Sequence, residues 1–124
     1  MEQVKVECLY REVPQIGLTY WEQQDLCRRV ARKQGWQILK EVVSEPGEER
    51  ACANRRASFR QLLEDADTQP YTVLVVASAV TLTPNADELD LLLADLLDKG
   101  VHTFSALGGH WIEPGGRHFM VLPW

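Results

Sequence analysis

Cysteine and histidine are scarce in this sequence, and their spacing argues against two kinds of site. The three cysteines are Cys8, Cys27 and Cys52, and no two of them form a CxxC pair. A disulfide framework or a structural zinc site needs more cysteines at closer spacing. The histidines are spread over the last quarter of the chain without a clear ligand pattern, at His102, His110 and His118. We therefore expect no metal and no cofactor, and we expect Cys8 and Cys27 to be buried thiols.

Long hydrophobic runs are missing as well. No apolar stretch approaches the length of a membrane span, and the first residues, MEQVKVE, lack a signal-peptide pattern. The chain has 124 residues, of which 45% are hydrophobic and 25% charged. This length suits one domain with its own core and is short for two. We expect a single domain over residues 1–124, located in the cytoplasm and independent of membranes.

Sequence motifs for nucleotide binding and for common hydrolases are absent. No GxGxxG follows the first predicted strand, and neither a GxxxxGK[ST] loop nor a GxSxG elbow occurs. Ser78 or Ser105 would need a distant histidine to act as a nucleophile, and both fit better as partners of backbone groups at strand ends. A row of carboxylates on one predicted helix fits a solvated face: Asp87, Glu88, Asp90, Asp95 and Asp98.

Positive charge is scarce in the second half of the chain. The net charge is −5, which does not favour nucleic-acid binding. Residues 1–60 carry 11 Lys and Arg against 9 Asp and Glu, whereas residues 61–124 carry 2 against 9. The candidate anion-binding or DNA-binding residues therefore lie in the first half, at Arg50, Arg55, Arg56 and Arg60. Arg55 and Arg56 would be helped by free N–H groups at a helix start. The same arginines also fit a surface role in which they offset Glu48, Glu49 and Glu64.

The segment Tyr71 to Thr83 predicts the centre of the fold. Val73 to Val76 is an apolar, β-branched run of strand length, which is typical of a central strand covered on both faces. In open α/β sheets, ligands bind just past the carboxyl ends of the strands. Residues 78–83 occupy that position here and contain no ionisable side chain. We therefore expect an edge of hydroxyl and methyl groups at this strand end.

The order of predicted elements indicates an α/β fold. Strands are expected at residues 4–10, 36–43, 73–76 and 101–107, with helices between them at 19–35, 56–66 and from Pro84 onward. Thr19 and Glu22 form a capping box for the first helix, Gly35 ends it, and Trp21, Leu26 and Val30 form its apolar stripe, with Cys27 as a less certain member. Pro84 fits the first position of the third helix.

This order predicts three layers, with a mostly parallel sheet of four to five strands and helices on both faces. The Gly-rich segment 108–124 predicts a final hairpin or edge strand around the apolar run 119–122, packing Trp111 and Trp124.

Together these segments resemble the catalytic domain of serine recombinases of the resolvase and invertase family. Gln23, Cys27, Ala31 and Gly35-Trp36 are similar to the QxxxCxxxAxxxGW pattern of its larger members. A second stretch resembles the family's RPxFxxLL segment, with Ala57 in place of its proline: Arg56, Phe59, Leu62 and Leu63. Later positions follow the spacing of the family's DRLxR loop, helix and GVxxxS strand: Leu82, Glu88, Leu89, Leu92, Gly100, Val101 and Ser105. The resemblance implies a resolvase-like fold from about residue 4 to residue 105.

The catalytic residues of the family are not matched. The family's YxRxS pattern supplies an arginine and the serine that attacks DNA, and the matching positions here hold Glu12 and Pro14, after Tyr10. The two arginines of the DRLxR loop correspond to Thr81 and Pro84, and its aspartate to Val80. Of this set only Arg56 is retained, with Thr19 and Gln23 as supports of the helix start.

These substitutions predict a degenerate, non-catalytic relative that acts as a binding or accessory module. Its partner would be another protein, an active recombinase or a second copy of the chain. The first alternative is a DNA-binding protein associated with site-specific recombination, binding weakly through Arg50, Arg55, Arg56 and Arg60. The second alternative is a small-molecule-binding α/β domain, for which no convergent acid, base or nucleophile is visible.

Overall fold

The computed structural model describes residues 3–44 and 53–115, which form one five-stranded sheet and three helices. The strands are β1 (Lys5–Tyr10), β2 (Gln37–Val43), β3 (Val73–Val76), β4 (His102–Ser105) and β5 (His110–Ile112), and the helices are α1 (Tyr20–Gln34), α2 (Ala57–Thr68) and α3 (Ala86–Asp98). The sheet order is β2-β1-β3-β4-β5. All pairs are parallel except β4 with β5. The predicted three-layer, mostly parallel α/β fold is confirmed.

Each face of the sheet carries its own apolar core. On one face, Cys27 of α1 packs with strand residues such as Cys8 and Val75. On the other face, Leu62 of α2 and Leu92 of α3 pack with Leu74. All four residues of β3 are buried, as expected for a central strand covered on both sides. Cys8 and Cys27 are buried free thiols, as predicted, and Cys52 lies outside the described residues.

The ends of α1 were predicted correctly and its apolar stripe in part, because Leu26 and Val30 pack against the core but Trp21 does not. The side chain of Thr19 accepts a hydrogen bond from the Glu22 N–H, and the Glu22 carboxylate accepts one from the Thr19 N–H. Gly35 ends the helix with a φ of 76°. The buried residues are Gln23, Cys27 and Ala31, whereas Trp21 is 70% exposed. The buried face therefore follows the i, i+4, i+8 row of smaller residues.

The second and third helices begin later than predicted. Arg56 takes the N-cap position of α2 with extended backbone angles, so the helix starts at Ala57 and continues to Thr68. Asn85 caps α3, because its side-chain oxygen accepts a hydrogen bond from the Glu88 N–H at 3.0 Å. Pro84 thus precedes the cap instead of filling the first helical position. The first turn of α3 contains Asp87 and Glu88, whose negative charge suits the N-terminal end of the helix dipole.

The last strands form the edge of the sheet. β4 is shorter than predicted because its pairing with β3 ends at Ser105, after which the N–H groups of Ala106 and Leu107 bond to the carbonyl groups of Val76 and Ala77. β5 pairs antiparallel with β4, which agrees with the predicted edge strand. Trp111 packs against Phe104. The predicted run at 119–122 and Trp124 lie outside the described residues.

No helix in the described ranges is both long and apolar enough to cross a membrane. Within the same ranges, no group of three or more histidine, cysteine or acidic side chains is arranged to hold a metal ion.

Candidate functional site

A cleft of about 650 Å³ opens at the carboxyl ends of β1 and β2. It is lined by Tyr10, Arg11, Glu12, Val13, Pro14, Gln15, Tyr20, Val43, Ser44, Arg56 and Pro84. The lining comes from the loop after β1, the start of α1, the end of β2, the N-cap of α2 and the segment before α3. Because the strands are parallel, their carboxyl ends meet at one edge of the sheet, where ligand sites form in this class of fold.

Gln23 fixes the loop that forms one wall of the cleft. Its side chain is fully buried. The amide oxygen accepts a hydrogen bond from the Arg11 N–H at 2.9 Å, and the amide nitrogen donates to the carbonyl groups of Arg11 at 2.7 Å and Leu18 at 3.1 Å. One side chain therefore satisfies backbone groups at both ends of the loop. The expected supporting role of Gln23 at the start of the helix is confirmed.

Arg56 brings a largely buried positive charge to the cleft. Its residue is 8% exposed, and Nη1 donates a hydrogen bond to the Leu82 carbonyl oxygen at 2.7 Å. Its Nε is buried and has no hydrogen-bond partner among the described residues. None of the ion pairs between described residues includes Arg56. Within the described ranges this guanidinium is held by a neutral carbonyl group and not by a carboxylate.

Arg11 is a second cation at the cleft, and the sequence analysis missed it. Its Nη1 donates a hydrogen bond to the Thr81 carbonyl oxygen at 3.2 Å. The residue lies one position before Glu12, so matching the family pattern by position alone passes over it. Together, Arg11 and Arg56 bind consecutive carbonyl groups of the 3-10 segment after β3. The edge after β3 was expected to offer only hydroxyl and methyl groups, and that expectation was wrong because the charges come from other elements.

The other candidate residues are divided between the cleft and its surroundings. Glu12, Pro14 and Pro84 line the cleft, whereas Thr81 is fully buried and does not. Arg55 is exposed at the end of a separate 3-10 turn, Ala53–Arg55, and Arg60 is exposed on α2; neither lines the cleft. The predicted arginine cluster is therefore not assembled at one site in the described residues. Arg50 lies outside the described residues.

A buried tyrosine, Tyr10, is among the residues that line the cleft. The Tyr10 hydroxyl donates a 2.5 Å hydrogen bond to Oε2 of Glu41, and Arg28 holds the same carboxylate through Nε at 2.9 Å and Nη2 at 2.8 Å. The Arg28 guanidinium, aided by the Tyr10 hydroxyl, lowers the pKa of Glu41 despite its partial burial. Burial raises the pKa of Tyr10. Tyr10 is thus a neutral hydrogen-bond donor that faces a fixed carboxylate.

The described part of the cleft lining offers hydroxyl groups and a few charges. Among the described lining residues there is no histidine, lysine or cysteine, and the hydroxyl groups are those of Tyr10, Tyr20 and Ser44. Ser44 lies at the end of β2, and its N–H donates to the Tyr10 carbonyl oxygen at 3.0 Å. Glu12 is the one carboxylate among the described lining residues, and it places negative charge in the same cleft as the two arginines.

Comparison with models of protein families assigns this chain to a family. The model of the resolvase N-terminal domain matches residues 17–121. That range begins after β1 and after the loop segment that carries Glu12 and Pro14. Among curated protein sequences, none matches this chain.

Solved structures with the same fold include recombinases of several kinds. The N-terminal catalytic domain of TP901-1 integrase is 18% identical with a TM-score of 0.74, covering 86% of this chain and 80% of its own. A resolvase family site-specific recombinase from Streptococcus pneumoniae is 18% identical with a TM-score of 0.72, and the match covers 88% of this chain and 76% of the recombinase chain. The C-terminal catalytic domain of ISC1926 TnpA, an IS607-like serine recombinase, is 11% identical with a TM-score of 0.66, and the match covers 83% of this chain and 67% of the TnpA chain. These likenesses concern the fold, and the match over residues 17–121 shows that the chain belongs to the resolvase N-terminal domain family.

Proposed function

We propose that this protein is a catalytically inactive member of the resolvase family that acts as a cytoplasmic binding or accessory module. The observation that carries the proposal is the content of the cleft. Glu12 and Pro14 line it at the two positions where the family resemblance places an arginine and the nucleophilic serine. A glutamate repels the phosphate that an arginine attracts, and proline has no nucleophilic side chain.

The electrostatics of phosphoryl transfer support the same conclusion. That reaction depends on positioned positive charge, which stabilises the negative charge that develops in the transition state. At the two positions of the family's DRLxR arginines, Thr81 is buried and Pro84 lines the cleft, and neither side chain carries charge. Arg11 and Arg56 remain, but each donates a hydrogen bond to a backbone carbonyl group. Loss of the nucleophile together with three arginines should lower the rate by many orders of magnitude.

The cleft nevertheless retains the means to bind an anion. Burying a charge is costly unless a partner compensates it, and Arg56 is 8% exposed without a carboxylate partner among the described residues. We expect a partner protein to place a negatively charged group near this guanidinium. A catalytically active recombinase is the first candidate for that partner, and a second copy of this chain is the next.

The test is an assay of an active resolvase-family recombinase from the same organism on its own recombination site. Adding this protein should change the yield of recombinant DNA, and the Arg56→Ala variant should lose that effect. Arg55→Ala is the matched control, because Arg55 is the neighbouring arginine but is exposed outside the cleft. An unchanged yield with the native protein, or equal loss in both variants, would argue against an accessory role that uses the cleft.

The alternative of a DNA-binding protein is supported by the two arginines at one cleft. Binding through Arg11 and Arg56 would be salt-sensitive, because each phosphate contact releases condensed counterions. In an electrophoretic mobility assay at low salt, the alternative predicts retardation that weakens in Arg56→Ala and at higher salt. Absence of retardation at low salt would eliminate it. The exposed Arg55 and Arg60 should then contribute little.

The alternative of a small-molecule-binding domain is supported by the size of the cleft. Its volume of about 650 Å³ lies in the range of about 300–1,000 Å³ typical of ligand sites. Screening small carboxylates and phosphates by NMR would test it. Saturable shifts confined to cleft residues such as Tyr20 and Ser44 would support this alternative, and their absence would oppose it.

A further inference from the structure

Glu7 is a buried acid in the sheet, and it is not one of the residues that line the cleft. It lies in β1, is 0% exposed, and neither of its carboxyl oxygens has a hydrogen-bond partner among the described donors. An ionised carboxylate placed in such surroundings is strongly destabilised, and a buried acid in this situation usually takes up a proton. The local pattern does not predict this burial, because Glu7 occupies a position that alternates with apolar residues as a surface residue would.

The titratable groups near Glu7 come from α2, β2, β1 itself and the segment before β3. Asp65 of α2 lies within hydrogen-bonding reach of it. Lys40 is its register partner on β2. Cys8 follows it on β1, and the phenol of Tyr71 lies close enough to interact with both acids. The Tyr71 hydroxyl donates instead to the Leu62 carbonyl oxygen at 2.9 Å, so it is not a partner of Glu7.

The contacts decide which of the two acids keeps the proton. Gln61 Nε2 donates to Oδ1 of Asp65 at 2.8 Å, and Lys40 Nζ lies 3.1 Å from Oδ2. These partners stabilise the anionic form of Asp65, whereas Glu7 has no such donor among the described residues. Two ionised carboxylates cannot hydrogen-bond to each other, but a protonated Glu7 can donate to Asp65 Oδ2, which is ion-paired with Lys40 but accepts no hydrogen bond from the described residues.

The pKa directions agree with this assignment. Burial, together with the neighbouring Asp65, raises the pKa of Glu7 to about 8. Burial also acts to raise the pKa of Asp65, but hydrogen bonds from Glu7, Gln61 and Lys40 outweigh it and leave that pKa below its usual value.

We propose that Glu7 is a neutral acid that keeps its proton and donates a hydrogen bond to Asp65, and so holds α2 on the sheet, and that losing this proton at alkaline pH loosens α2. The proton passes to solvent base, and two negative charges then face each other with Lys40 as their one described cation. The Lys40 side chain is 40% exposed, so water weakens its attraction for the two carboxylates. Because Arg56 occupies the N-cap position of α2, the protonation state of Glu7 would also influence the position of the Arg56 guanidinium in the cleft.

The first test is urea unfolding from pH 5 to pH 10 for three proteins. For the native chain, the folded state binds one more proton than the unfolded state between the ordinary pKa of 4.5 and about 8. The folding equilibrium constant should therefore fall by up to about tenfold per pH unit across this window and level off above it. Glu7→Gln keeps a donor to Asp65 without the titration, and should lose this part of the pH dependence. Glu64→Gln, which changes an exposed acid beside Asp65, should behave as the native chain does.

The second test observes the native chain directly, so it does not depend on a variant that folds. The side-chain carboxyl 13C signal of Glu7 should report a neutral acid at pH 6 and titrate near pH 8. Above that pH, amide protection in α2, corrected for the intrinsic pH dependence of exchange, should fall relative to α1. An ionised Glu7 at pH 6, unchanged protection of α2, or a Glu7→Gln variant with native pH dependence would each overturn the proposal.

Discussion

Arg56 donates a hydrogen bond from Nη1 to the carbonyl oxygen of Leu82, with 2.7 Å between the two atoms. This bond connects the N-cap of α2 to the segment that follows β3, across 26 residues of sequence. Arg11 makes the corresponding bond to Thr81, the preceding carbonyl group. The two arginines therefore support the floor of the cleft as well as giving it positive charge.

The bond to Leu82 predicts that Arg56 contributes to stability. Arg56→Ala leaves a buried carbonyl oxygen without its charged donor, and we expect the free energy of unfolding to fall by about 1–3 kcal/mol. Urea denaturation measures this change. The exposed neighbour provides the control, since Arg55→Ala should change the free energy of unfolding by no more than about 0.5 kcal/mol. Equal effects of the two substitutions would mean that the carbonyl bond has little energetic importance.

We expect Gln23 to contribute more to stability than a polar residue on a helix usually does. Gln23→Ala removes three hydrogen bonds to the backbone of Arg11 and Leu18. Leaving those buried groups unsatisfied should lower the free energy of unfolding by about 2–4 kcal/mol. It should also increase hydrogen exchange in residues 11–18, the loop that forms the cleft wall. Gln24→Ala, which removes one bond to the Tyr20 hydroxyl, should have a much smaller effect and leave that loop protected.

Local signals in the sequence were sufficient to predict most of the fold. The capping box of Thr19 and Glu22, the terminal Gly35 and the buried run of β3 each depend on neighbours in sequence, and each was predicted. One error was local: Pro84 was predicted as the first residue of α3, whereas Asn85 caps the helix by accepting a hydrogen bond from the Glu88 N–H. Another depended on packing: Trp21 is exposed because α1 turns its smaller residues to the sheet.

The candidate site was also predictable only in part. The family spacing located Glu12, Pro14 and Pro84, which do line the cleft. It did not reveal Arg11, whose partner Thr81 is 70 residues away in sequence. It also did not reveal that Glu7 is buried, since only the packing of α2 on β1 brings Asp65 to it. Long-range contacts of this kind leave no periodic signal in a single sequence.

The Arg28–Glu41 ion pair predicts a measurable pH effect. The pKa of Glu41 is lowered in the folded state, mainly by the Arg28 guanidinium. A lowered pKa contributes stability above the ordinary value of 4.5, and this stability is lost as pH falls through the native pKa. Arg28→Ala should raise the pKa of Glu41, measured by carboxyl 13C NMR, and should make acid unfolding less steep.

Arg29→Ala is the matched control for that prediction. Arg29 pairs with Asp25 on the exposed face of α1 and has no bond to Glu41 in the described structure. The pKa of Glu41 should therefore stay low in this variant. If both substitutions raise that pKa equally, the general charge of α1 and not the direct Arg28 contact is responsible.

The central claim is that the cleft has kept the family scaffold and lost its chemistry, and the most direct measurement is a search for covalent protein–DNA adducts. The protein would be incubated with supercoiled plasmids that carry fragments of its source genome, denatured rapidly, treated with nuclease and measured by intact mass. An active resolvase-family recombinase on its own site is the positive control. We predict no adduct for the native chain, because the proposal places Pro14 at the position of the nucleophile and Glu12 where an arginine would bind phosphate. An adduct would contradict the account, and its loss in Ser44→Ala would identify Ser44 of the cleft as the nucleophile.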